Sequence, residues 1–180
     1  LATARSTGDH RTVDEVVSTT LAVFVALGLL LAGLFAALAG PLVHVFNVSP
    51  RLRADALAVF LIVGVQAAFD LPAATFTSVI EGAQRFTLAR SVEIPLRLGW
   101  GVAVTVAVSM GAGVRALAWC SLAFSAVGLV ATMGAAFRVQ QGLRLRVSNV
   151  SVRSLRMMMR ESSGMLGARI LSVVYNQMDR

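Results

Sequence analysis

Cysteine occurs once in these 180 residues, as Cys120 within an apolar stretch, so no disulfide framework is possible. The two histidines, His10 and His44, are far apart and have no further ligands at metal spacing, and no metal site is expected. Lysine is absent, and only nine side chains are acidic. No loop brings two carboxylates within catalytic reach of each other, which argues against a membrane-embedded glycosyltransferase or polymerase. Charge of either sign is scarce, at 14% of residues against about 25% in a soluble domain. With 57% apolar residues and a mean hydropathy of +0.77, the composition is that of an integral membrane protein, all-α and polytopic.

What charge there is has a pattern. Sixteen arginines give a net charge of +7, and they gather in short segments between apolar spans. That placement marks membrane topology rather than a nucleic-acid face, so no nucleic-acid partner is expected. Residues 1–15 are polar; Thr12 and Glu15 fit a capping box and predict a helix start near Val13. Val16 to Gly40 carries no charge and is a complete span. Ala37-Leu38-Ala39 has the form of a signal-peptide cleavage site, but the run is too long for a signal core and further spans follow. Gly28, Ala32, Ala36 and Gly40 form a small-residue seam of the kind that lets helices approach closely in lipid. Pro41 and Asn47 to Arg53 are expected to close this span; Asn47-Val48-Ser49 also fits a glycosylation acceptor, a weak three-residue match.

The next span, Ala56 to Arg85, breaks its own apolar rule on one face. At 100° per residue, Gln66, Asp70, Ala73, Thr77, Glu81 and Gln84 fall within an arc of roughly 80°. A carboxylate at the bilayer centre costs at least about 2.5–3.5 kcal/mol. The stripe must therefore face other helices or a watery cavity. Pro72, just beyond Asp70, removes a backbone hydrogen bond and predicts a kink.

The span leaves through a charged turn at Glu81 to Arg90, and Pro95 suits the first turn of the following helix, which is expected to reach about Met110. Gly101, Thr105 and Ser109 recur on it as a close-packing face. Val114–Phe137 follows, with Ser121, Ser125, Gly128 and Thr132 on one face and Trp119 near the interfacial belt. Six arginines lie between Arg138 and Arg160, a basic stretch read either as a surface-lying helix or as a solvated linker. An apolar helix restarts at Ser163 yet carries Arg169, Asn176, Gln177 and Asp179, so it should face a cavity or a partner. The domain reading is thus four spans over 1–137, a basic linker over 138–162, and an incomplete helix over 163–180. A first residue of Leu1 and a last of Arg180 within that helix read as a piece of a longer transporter-like protein. Arg5, Arg11, Arg85, Arg90, Arg97 and the six linker arginines fall on one side, against Arg51, Arg53 and Arg115 on the other; the positive-inside rule places the richer side in the cytoplasm.

The order of a small-residue helix, a Pro-containing helix ending in EGAQRFTLARSVEI, two more spans, a basic linker and a helix ending in QMDR resembles Wzx-type polysaccharide (O-antigen) flippases. These belong to the multidrug/oligosaccharidyl-lipid/polysaccharide exporter superfamily. The family often has a Gly-x-Gln-Arg-Phe turn after its fourth helix, matched by Gly82, Gln84, Arg85 and Phe86, and an Asp-Arg late in its seventh, matched by Asp179 and Arg180. It commonly has Asn soon after that turn, where this chain has Ala89-Arg90. The resemblance implies helices three to seven and the inter-lobe linker of a two-lobed, MATE-like carrier in the bacterial inner membrane. It implies alternating-access export of undecaprenyl-diphosphate-linked oligosaccharide for polysaccharide biosynthesis, with no enzymatic step. The implied partners are that lipid-linked glycan, membrane lipids, and a polysaccharide polymerase and chain-length regulator. No cofactor is expected, and coupling to H+ or Na+ is left open.

On that basis the substrate-binding candidates are Gln66, Asp70, Gln84 and Arg169. Arg169 would attract the diphosphate, because guanidinium grips phosphate bidentately. Gln66 and Gln84 would contact sugar, and Asp70 would be a proton or cation site or a structural partner of an arginine or backbone group. Glu81 and Arg85 would gate or anchor the cytoplasmic helix end. The competing readings are a cation-coupled multidrug exporter of the same superfamily, which should have a more acidic, aromatic-lined cavity, and a non-transporting membrane subunit of a polysaccharide assembly system.

Overall fold

The structure, a computed structural model, describes residues 10–140. Expectations for the stretch from 141 onward, including Arg169 and the Asp179-Arg180 pair, lie outside the described residues. Four helices follow in order: α1 His10–Val45, α2 Arg53–Gly82, α3 Phe86–Ser109 and α4 Val114–Val139, with a 3-10 turn at Pro50–Leu52 before α2. All four are long and apolar enough to cross a membrane. Their outer faces present large apolar side chains, among them Leu29, Leu30, Leu98, Val102 and Val130, each more than three-fifths exposed. Water penalises so much contiguous apolar surface; hydrocarbon does not.

Several boundaries differ from the sequence reading, among them α2, which begins at Arg53 and ends at Gly82 rather than running from Ala56 to Arg85. α1 begins at His10, three residues before the expected start, and runs through Pro41 to Val45 rather than closing there. α3 begins at Phe86, so Pro95 lies inside the helix and not in its first turn. The expected charged turn is therefore helical beyond Phe86, which places Arg90, Glu93 and Arg97 on α3 and takes Arg97, eleven residues into that helix, out of the loop arginines counted for orientation. Each helical proline removes one backbone bond and leaves the rest of the ladder in place, a cost that helices apolar enough to cross a membrane commonly tolerate. α2 likewise continues through the buried Pro72.

The helix ends share one device. In each connection a residue with left-handed backbone follows the helix: Asn47 (φ 49°), Gln84 (φ 57°) and Gly111 (φ 72°). Its N–H bonds back three residues, to His44, Glu81 and Val108 respectively, and the next N–H bonds back five, to Val43, Ile80 and Ala107. This is the Schellman pairing, which satisfies the last helical carbonyls without a side-chain cap. Two of the three connections thereby become tight reversals, and the chain folds as antiparallel neighbours.

α2 is the central helix, packed on one side against α1 and on the other against α4; α3 lies chiefly on α4 and meets α2 least. The α1–α2 approach is close enough to need glycine. A Cβ on Gly28 would come within 2.8 Å of the Ala68 backbone, and one on Gly64 within 2.8 Å of Phe35 and 3.2 Å of Ala32. The first half of the predicted seam, Gly28 and Ala32, therefore packs as expected; Gly40 meets nothing within 4 Å. On α3 the close approach is at Gly99, against the Phe124 ring, and not at Gly101. Thr105 and Ser109 are exposed. The main apolar cluster joins all four helices at one end: Val17, Phe76, Val79, Ile80, Ala89, Ala135 and Ala136. The Phe76 and Phe137 rings lie 6.3 Å apart, tilted at 43°, beside it.

Candidate functional site

Because α3 is tied to α2 only near their short connection, the two diverge and leave a groove that α4 closes from behind. It has a volume of about 560 Å³. α2 contributes Gln66, Asp70, Ala73, Ala74 and Thr77; α3 contributes Arg90, Glu93, Leu96, Arg97 and Trp100; α4 contributes Ser121, Phe124, Ser125, Gly128 and Thr132. Ile80 and Ala89 line it next to the four-helix cluster. The serine–threonine face expected on α4 is thus the groove's back wall.

At 1.5 Å rise per residue, Asp70 lies about 18 Å from the end of α2 at Gly82. Arg97 and Trp100 lie about 17 and 21 Å from the start of α3 at Phe86. Since the two helices share that end, these side chains lie at similar levels along the bundle.

The polar contacts are specific. The Gln66 amide nitrogen donates to Asp70 Oδ2 at 3.3 Å. No arginine pairs with Asp70 among the described residues, so the arginine partner considered for it is not formed there. Arg97 Nη2 lies 2.6 Å from Glu93 Oε1, one turn back on the same helix. Arg90 pairs with the other oxygen of Glu93 and reaches across to Glu81 Oε1 on α2 at 3.4 Å. The Trp100 indole N–H donates to Ser121 Oγ at 3.0 Å and pins α3 to α4 in mid-span.

The sequence-nominated residues divide accordingly. Gln66 and Asp70 are brought together on the groove wall. Glu81 sits beside it, as one end of the ion pair joining α2 and α3. Gln84 leaves the helical stripe: α2 ends at Gly82, so Gln84 occupies the left-handed turn position, is exposed, and is not among the groove-lining residues. Arg85, the residue preceding α3, is also exposed and outside the lining. Arg169 lies outside the described residues.

Glu93, Arg97 and Trp100 were not nominated. A signal for them exists, since Arg90, Glu93, Arg97 and Trp100 share an arc of roughly 80° once the helix is known to begin at Phe86. Placing the helix start near Pro95 hid that face.

A second groove of about 670 Å³ lies between α2 and α4 toward their other ends. Its walls are apolar, including Leu61, Val65, Phe69 and Leu122, with Arg115 and Trp119 also lining it.

Comparison with known protein families, curated proteins and solved structures finds no match. Among the described residues, fold and site together define an all-helical arrangement with four helices long and apolar enough to cross a membrane. A charged, hydroxyl-bearing groove runs between three of them.

Proposed function

We propose that this chain is part of a two-lobed, MATE-like carrier, with its four described helices in the N-terminal lobe, that moves undecaprenyl-diphosphate-linked oligosaccharide across a bacterial inner membrane by alternating access. The observation that carries the reading is the groove itself, in which a carboxylate and a guanidinium stand near the middle of otherwise apolar helices. Ionisable groups so placed in a membrane are costly unless they serve a polar pathway. A lipid-linked glycan needs such a pathway for its head, while its polyprenyl tail stays in hydrocarbon beside the exposed leucines and valines. Arg97 and Arg90 supply guanidinium donors for the diphosphate within the described residues, alongside the role assigned to Arg169. The resemblance to Wzx-type flippases supplies the substrate class.

Against a drug exporter for organic cations stands the composition of the wall, where two arginines accompany Asp70 and Glu93. The test is export of lipid-linked glycan by the intact transporter carrying Asp70→Asn or Arg97→Ala, with Leu98→Ala as a control on the outward face. Export should fall at least tenfold for the two groove variants at unchanged abundance and stay near wild type for the control. Wild-type export by both groove variants would overturn the assignment.

A further inference from the structure

Two aromatic side chains line the groove, Trp100 and Phe124, and neither has a role in the reading above. Trp100 is 42% exposed, yet its one polar atom is already used by Ser121. What it can offer a ligand is therefore the face or edge of its ring, held by a hydrogen bond that ties two helices together. At about the same depth the same groove holds Gln66 and Asp70. Their mutual bond is long and uses one carboxylate oxygen, leaving acceptor capacity on Asp70 Oδ1 and the Gln66 carbonyl. An apolar ring beside a few oriented acceptors is the chemistry that takes a sugar, whose C–H face packs on the ring while its hydroxyls donate to the acceptors.

We propose that Trp100, Gln66 and Asp70 form a carbohydrate subsite in which one pyranose ring stacks on the indole. A cationic ligand would also welcome an aromatic face and a carboxylate. Arg90 and Arg97 on the same wall balance Asp70 and Glu93, so the groove has no excess of negative charge to favour a cation over an uncharged ring. Trp119 provides the internal contrast: also exposed, it lines the other groove among Leu122, Ala123 and Ala126. The subsite rests on the carrier reading for its glycan, but it is tested separately.

The experiment uses the intact transporter in detergent and, as probe, the lipid-free oligosaccharide released by mild acid from the producing cell's lipid-linked intermediate. Calorimetric titration should give an affinity that weakens at least tenfold in Trp100→Ala and only a few-fold in Trp100→Phe, which keeps an aromatic face. Indole emission should change on binding in Trp119→Phe and lose that change when Trp100→Phe is added. Equal affinity in Trp100→Ala, or no binding by the wild type, would overturn the subsite. So would tetraphenylphosphonium binding at Trp100 while the oligosaccharide does not, which would also favour the drug-exporter reading. Oligosaccharide binding at Trp100 without export of the lipid-linked form would refute the carrier and leave the subsite standing. Normal export by a Trp100→Ala protein that binds oligosaccharide as tightly as wild type would do the reverse.

Discussion

At the scale of single residues, the chain separates polar groups that have a task from two buried hydroxyls, those of Ser18 and Thr75, that find no partner within the described residues. Asp70 is exposed to the groove and bonded to Gln66, whereas Thr75, five residues further along α2, is 2% exposed with a hydroxyl that finds no partner among the described residues. A buried, unsatisfied hydroxyl costs about 1–3 kcal/mol. Thr75→Val keeps the branched shape and removes the orphan, so thermal unfolding in detergent should occur at the same or higher temperature than wild type. Thr75→Ser, which keeps the hydroxyl and loses the methyl, should unfold lower. A clear drop in the valine variant would mean that the hydroxyl is bonded in the membrane. Composition and spacing made Gln66 and Asp70 legible as a pair, because four residues on a helix return to one face. They could not say which arginines would share the groove, since that depends on how α3 diverges from α2.

At the scale of elements, the boundaries were the least legible feature, and the reason lies in the turns. Gln84 reads from sequence as a continuation of the polar stripe, yet the left-handed backbone at that position ends α2 two residues earlier. A side chain there costs about 1 kcal/mol or more relative to glycine. Gln84→Gly should therefore stabilise the protein by about 1 kcal/mol in thermal or denaturant unfolding, and export should be unchanged because the side chain lies off the groove. Lost export would restore Gln84 to the substrate path. The small-residue seam was half legible: Gly28 and Ala32 face α2, but Gly40 lies beyond the region where the helices touch. Periodicity finds a face; it does not say how far along the face contact extends.

At the scale of the whole molecule, four membrane-length helices were legible from hydropathy alone, because length and apolarity suffice to mark a span. Their arrangement was not, since lipid gives no hydrophobic reason for one helix face to seek another. Packing decides it, and the packing is uneven, with the largest buried cluster at one end of the bundle. Two alanines on opposite ends of α4 report this asymmetry. Ala136 is fully buried in the cluster and Ala116 is exposed near the other end. Ala136→Leu should destabilise by about 1–3 kcal/mol through overpacking, while Ala116→Leu should stay within about 0.5 kcal/mol of wild type. Equal costs at both ends would contradict the uneven bundle.

Glu93 answers two guanidiniums at once, Arg90 on one oxygen and Arg97 on the other. One carboxylate shared between two cations is a deliberately short supply of negative charge. An anion settling on Arg97 would release Glu93 wholly to Arg90, whose second hand already holds α2 through Glu81. The stitch between those two helices would thus sense whether the neighbouring guanidinium is occupied, with no residue needed to carry the message beyond the carboxylate itself.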